Sequence, residues 1–146
     1  MQCRKLKELD QEIIDKLLIK VEWQQRYTLT FLCNDDDIIP KVVWELLQLR
    51  RNHPQEYNRL LVSVKTQLGQ KEVLQNSRRL RRGKGYRQIY EFKSCSVPGI
   101  RLFFYFYLDM IVCTHAWWKA KTSDQEQNNE FKKADKLRNQ MGGNNE

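Results

Sequence analysis

The side chains best equipped for chemistry sit in two places: a run of cations from Ser77 to Arg87 and an aromatic run from Gly99 to Trp118. The first, SRRLRRGKGYR, holds Arg78, Arg79, Arg81, Arg82, Lys84 and Arg87 and no acid. Gly83 and Gly85 predict a loop, in which backbone N–H groups and basic side chains can approach phosphate oxygens together. A solvated basic run is the plainer reading of the same residues. The second stretch alternates from Ile100 to Leu108 as an extended strand does. Leu102, Phe104, Phe106 and Leu108 share the face that should meet the core, and Arg101, Phe103, Tyr105 and Tyr107 share the other. A guanidinium, two phenols and a phenyl ring suit a working face near water. In a groove, Arg101 beside Tyr105 would match a phosphate bidentately. Against the core it would need a partner, and a cross-strand pair with Glu91 is the structural alternative.

The next strand, Met110 to Trp118, decides what stands beside Arg101. A two-residue turn at Asp109-Met110 pairs Tyr105 with Thr114 and sends His115 to the other face. A three-residue loop pairs Tyr105 with His115. One residue of slip exchanges the faces of the whole strand. The expected register is the second, because it sets His115 among polar partners; a satisfied core histidine is the alternative.

These stretches need a scaffold, and 146 residues suffice for one domain with one core. The net charge of +8, with 30% charged residues, points to a polyanionic partner. Cys3, Cys33, Cys95 and Cys113 form no CxxC pair, and with only His53 and His115 there is no zinc pattern, so neither metal nor cofactor is expected. No signal peptide or transmembrane run is visible, so a cytoplasmic chain with reduced thiols and no membrane partner is expected.

Apolar spacing from residue 6 to 21 predicts an amphipathic N-terminal helix, and Tyr27, Leu29 and Phe31 alternate as a strand. The acidic turn Asn34–Asp37, with Pro40, predicts a helix start. Ile39, Val42, Val43, Leu46 and Leu47, then Tyr57, Leu60, Leu61, Val64 and Leu68, mark a helical hairpin whose connection holds His53 and Pro54. Gly69 is expected to end it as an αL residue. A strand follows at Tyr86–Lys93, with Tyr90 and Phe92 on one face and Ile89, Glu91 and Lys93 on the other. Ser123 to Glu126 is a capping-box pattern, opening a last helix with a thin apolar stripe of Phe131, Ala134, Leu137 and Met141. The order predicts an α+β domain over residues 1–141, with helices on one face of a small antiparallel sheet. Residues 1–21 form an N-terminal helical extension in this reading, and residues 142–146 a frayed tail.

From Arg79 to Arg138 the chain resembles the RelE/ParE toxin superfamily, and most of all its HigB-like, phage-derived branch. There a basic segment leads to a strand ending in a Glu-Leu-Arg-like triplet, where this chain has Tyr90-Glu91-Phe92-Lys93. A Gly-x-Arg strand of aromatics follows, matched by Gly99-Ile100-Arg101-Leu102-Phe103-Phe104-Tyr105. An apolar strand then ends in histidine, small residue, aromatic and lysine, here His115-Ala116-Trp117-Trp118-Lys119. Two features differ: Ala120 follows Lys119 where the branch has a second lysine, and Ser123-Asp124 replaces a Thr-Pro turn.

The resemblance implies a RelE-like fold and the toxin of a type II toxin–antitoxin pair, cleaving mRNA without a metal, often on the ribosome. Its partners would be RNA and a cognate antitoxin, expected to be a helix-turn-helix protein. Cleavage by the neighbouring 2′-hydroxyl needs a base, cations for the phosphorane and an acid for the leaving 5′-oxygen. The resemblance assigns the scissile phosphate to Arg101, proton transfer to His115 or Tyr105, and charge stabilisation to Lys119. RNA contacts fall to Arg79, Arg82, Lys84, Arg87, Lys93, Trp118 and Lys121, with the Trp118 ring able to stack on a base. Two alternatives remain in view: a ParE-like gyrase inhibitor that cleaves nothing, and a basic nucleic-acid- or partner-binding module without catalysis.

Overall fold

The structure, a computed structural model, describes residues 1–70, 80–83, 85–94 and 97–141, with the backbone alone described at 80–83 and 87. The sheet is built from β1 (Gln2–Lys5), β2 (Thr28–Cys33), β3 (Leu80–Gly83), β4 (Tyr86–Lys93), β5 (Gly99–Tyr107) and β6 (Met110–Lys119). Its helices are α1 (Gln11–Leu17), α2 (Lys41–Asn52), α3 (Pro54–Leu68) and α4 (Asp124–Gln140). The six strands run in the order β1-β2-β6-β5-β4-β3. All neighbours are antiparallel except β2 and β6, which are parallel, so the sheet is mixed. No helix among the described residues is long and apolar enough to cross a membrane.

The helical hairpin follows its sequence pattern. Val42, Val43, Leu46 and Leu49 of α2 and Tyr57, Leu60, Val64 and Leu68 of α3 are buried. They meet Phe92, Leu102, Phe104, Ile111 and Cys113 on one face of the sheet. Each such side chain contributes about 1.5–3 kcal/mol by leaving water. Tyr57 carries its hydroxyl into this core, where it donates to the Leu17 carbonyl at 2.6 Å and ties α3 to α1.

Several local expectations are corrected. Residues 6–21 are not one helix. They comprise a 3-10 turn at Leu6–Glu8, the two-turn α1, and the start of a second 3-10 turn at Val21–Trp23. Leu18 stops α1 in the left-handed region at φ 61°, which a continuing helix cannot accommodate. The extension also opens with β1, an edge strand paired to β2. The acidic run at Asn34–Asp37 forms a turn ahead of α2, which begins only at Lys41 behind Pro40. Gly69 ends α3 with right-handed geometry, φ −92°, so its freedom at positive φ is not used.

The cationic run is not a loop throughout. Leu80–Gly83 is an edge strand, antiparallel to β4 with Gly83 opposite Tyr86, and Gly85 has a φ of +82° that suits glycine. Tight-turn chemistry, not phosphate-loop flexibility, accounts for that glycine. Arg79 and Lys84 lie outside the described residues, as does the 142–146 tail.

The largest correction concerns the layers. The helices do not share one face: α1, α2 and α3 cover one, and α4 covers the other. Ser123 caps α4 by accepting from the Glu126 N–H at 3.3 Å, as the sequence pattern predicts. The helix then lays Gln127, Phe131, Ala134 and Arg138 onto the sheet, at i, i+4, i+7 and i+11. Phe131 meets Phe103 edge-on at 5.0 Å between ring centres. Ile89, Tyr105 and Val112 complete the buried apolar centre beneath it.

Candidate functional site

The face under α4 carries the residues that the aromatic run singled out. Arg101, Phe103 and Tyr105 project there from β5, as their alternation requires. The β5–β6 turn is Leu108-Asp109, one residue earlier than either sequence register, and Tyr105 stands opposite Val112, not His115. His115 nevertheless reaches the same face. Phe103 pairs with His115 and Phe104 with Cys113, leaving Thr114 as an extra residue in β6. This bulge reverses the alternation beyond it. Cys113 and Ala116 consequently both meet the hairpin core, while Val112, His115 and Trp117 look toward α4. The Thr114 hydroxyl donates to the Phe103 carbonyl at 3.3 Å across the irregularity.

Beneath α4 the four assigned residues divide into two centres. In the first, Arg101 is 4% exposed and Lys119 5%, so neither lies in an open groove. Arg101 Nε stands 4.0 Å from Oε1 of the fully buried Glu91, and its Nη1 donates to the Ile100 carbonyl at 3.0 Å. Gln127 of α4 donates to the same Glu91 oxygen at 2.6 Å, and the Lys119 ammonium donates to the Gln127 carbonyl oxygen. The expectation of a groove-facing Arg101 is thereby corrected: α4 closes the groove, and the Glu91 pairing takes its place. A buried guanidinium needs such a partner, because desolvation of an unpaired ion costs several kcal/mol. Tyr105 is buried beside this centre, with the Arg138 guanidinium 5.7 Å from its ring centre.

The second centre lines a cleft, although His115 itself is only 3% exposed. His115 stacks parallel on Phe103 at 4.6 Å and borders a cleft of about 270 Å³ with Cys33, Lys41, Glu45 and Lys133. Its Nε2 lies 3.2 Å from a Glu130 oxygen on α4, and its Nδ1 lies 3.2 Å from the Thr114 hydroxyl. Thr114 gives its single proton to the Phe103 carbonyl, so its oxygen faces Nδ1 as an acceptor. With an ionised Glu130, both ring nitrogens face acceptors. The histidine hydrogen bond holds the Glu130 carboxyl below its ordinary range; desolvation opposes this, and the charges of His115 and Lys133 add to it. Glu45 of α2 accepts the Ala116 N–H at 3.0 Å just beyond the bulge. Burial pushes the Cys113 thiol up, away from thiolate chemistry.

The remaining assigned residues lie elsewhere. Trp118 faces the helical hairpin, across the sheet from His115, and stacks on His53 at 3.5 Å between ring centres. One face of its partly buried ring is occupied by the imidazole, on the side of the sheet away from His115. Lys93 stands opposite Arg101 in the β4–β5 ladder and is half-buried, while Lys121 is exposed beyond β6. Arg82 and Arg87 are located by backbone alone, in β3 and β4.

Sequence reading missed Glu130, Gln127, Glu45 and Lys41. A capping box fixes where α4 starts, and from there Gln127 falls one turn before Phe131 on the same stripe. That phase was the available signal for Gln127. Nothing local links Glu45 or Lys41 to His115, since the approach of α2 to β6 is a tertiary contact. Comparison with family models, curated proteins and solved structures finds no match for this chain.

Proposed function

We propose that the chain is the toxin of a type II toxin–antitoxin pair, a RelE/ParE-like, HigB-like endoribonuclease that cleaves mRNA without a metal, on the ribosome. The observation that carries the reading is the convergence of Arg101, Tyr105, His115 and Lys119 on one sheet face, which the bulge at Thr114 brings about for His115. A hairpin of two helices between β2 and the antiparallel strands β4, β5 and β6 supports the RelE-like comparison. In this reading His115, at the cleft, moves the proton, and Lys41 and Lys133 at its rim supply charge for a phosphate. Arg101 and Lys119 act indirectly, by fixing the face through Glu91 and Gln127. The net charge of +8 suits RNA and an acidic antitoxin segment alike, the antitoxin being a helix-turn-helix protein and the site of action cytoplasmic.

One observation favours a second reading, a basic binding module without catalysis: Arg101, Tyr105, His115 and Lys119 are all buried. A ParE-like gyrase inhibitor has no such specific support. Induction of the chain from a repressed promoter, followed by primer extension on cellular mRNA, separates these readings. The expected result is growth arrest with new mRNA 5′ ends, both abolished by His115→Ala in a variant that still accumulates folded. Normal growth with abundant folded parent chain removes the toxin reading, and arrest without new 5′ ends removes the nuclease.

A further inference from the structure

On the other side of the sheet from His115, the outer face of α2 carries Trp44, 54% exposed, a costly place for the largest apolar side chain. Trp44, Leu47, Gln48 and Arg51 lie at i, i+3, i+4 and i+7, on one face of the helix. They line a groove of about 530 Å³ that also takes in Lys16 and Arg50. Three cations and no carboxylate therefore surround an exposed indole. The groove is also built: Arg50 Nη1 donates to the Lys16 carbonyl at 2.7 Å and fixes α1 against α2. The Lys16 ammonium is partly spent on Glu12, 3.2 Å away. Arg51 has no ion pair among the described residues and is exposed.

An exposed aromatic ring flanked by cations has two complementary elements in a single strand of nucleic acid: a base to stack and phosphates to neutralise. An acidic peptide supplies only the second. We propose that the Trp44–Arg51 groove is a binding site for single-stranded RNA, a base stacking on Trp44 while the adjoining phosphates meet Arg51 and Arg50. The site is separate from the His115 cleft and does not depend on cleavage. A chain that cuts nothing would still hold RNA here.

The test uses the full chain and a fluorescein-labelled, 2′-O-methylated uridine 12-mer, which lacks the 2′-hydroxyl nucleophile and so reads binding alone. Anisotropy titrations are run in parallel with inorganic polyphosphate as competitor, which carries charge but no base. Trp44→Ala should weaken oligonucleotide binding at least about fivefold, as loss of one stacked base does, and leave polyphosphate competition unchanged. Trp44→Phe should stay within about threefold of the parent, because a phenyl ring still stacks. Arg51→Glu should weaken both ligands and flatten the dependence of affinity on salt. The proposal is overturned if the parent fails to bind the 12-mer at low salt, or if Trp44→Ala binds it as the parent does. It is equally overturned if Trp44→Ala and Trp44→Phe lose both ligands together, or if polyglutamate binds in a Trp44-dependent manner and the 12-mer does not.

Discussion

The two faces of the sheet are both buried, by opposite means. Under α1, α2 and α3 the contacts are between apolar side chains such as Leu46, Leu60, Val64, Phe92 and Phe104. Under α4 the apolar patch is small, around Phe103 and Phe131, and Glu91, Arg101, Lys119, Gln127 and Arg138 are buried beside it. Apolar burial tolerates volume-conserving exchange among its side chains. Polar burial is an all-or-nothing arrangement, since removing one member strands another in a low dielectric. The hairpin face therefore supplies bulk stability, and the α4 face fixes geometry for the histidine at its border.

The comparison is broken most forcefully at Glu91. Glu91→Ala should cost about 3–5 kcal/mol in urea unfolding, because Arg101 loses its buried counter-charge. The double substitution Glu91→Met with Arg101→Met should recover most of that loss. Phe104→Ala on the other face costs a similar amount, about 3–5 kcal/mol, but the loss comes from an apolar cavity with no stranded charge to remove. A loss under about 1 kcal/mol for Glu91→Ala would mean that the ion pair does not organise this face.

A smaller effect sharpens the contrast through pH. The Glu130 carboxyl is held below its ordinary value of 4.5, first by the His115 hydrogen bond. A folded value below the unfolded one stabilises the protein above pH 4.5, and the contribution fades as pH falls through the folded value. Glu130→Gln should lower stability near neutral pH and leave a flatter decline below pH 4.5 than the parent shows. Superimposable acid limbs for parent and variant would show that the His115–Glu130 contact adds nothing to folding.

The smallest effect lies outside both faces. Leu108, 81% exposed, occupies the β5–β6 turn at φ 53°, where a leucine is strained and packs against little. Leu108→Asn should raise stability by about 0.5 kcal/mol, since asparagine tolerates the left-handed region. It should leave both the Glu130 pH dependence and the cost of Glu91→Ala unchanged. A shift in either would tie the turn to the α4 face.

Local pattern was enough to read α2 and α3 from their stripes, the faces of β4 and of β5 as far as Phe106 from alternation, and the start of α4 from Ser123, whereas Leu108, expected to face the core, is exposed in the turn. It also narrowed Arg101 to two environments, of which the Glu91 pair is the one found. Those features depend on neighbours within a turn or two of the same element. Other features depend on pairings between distant segments. The Thr114 bulge is a single residue and leaves no period to detect, yet it decides that His115 shares a face with Arg101. The parallel pairing of β2 with β6, and the edge strand β1, join segments about eighty and thirty residues apart. The thin stripe of α4 marked a surface helix, but which surface it would cover was decided by its fit over Phe103 and Glu91. By itself the sequence determined which side chains could act. Only the tertiary structure decided that Arg101, Lys119 and His115 are all enclosed and that His115 alone of the three lines a cleft, because enclosure depends on what packs from the far end of the chain.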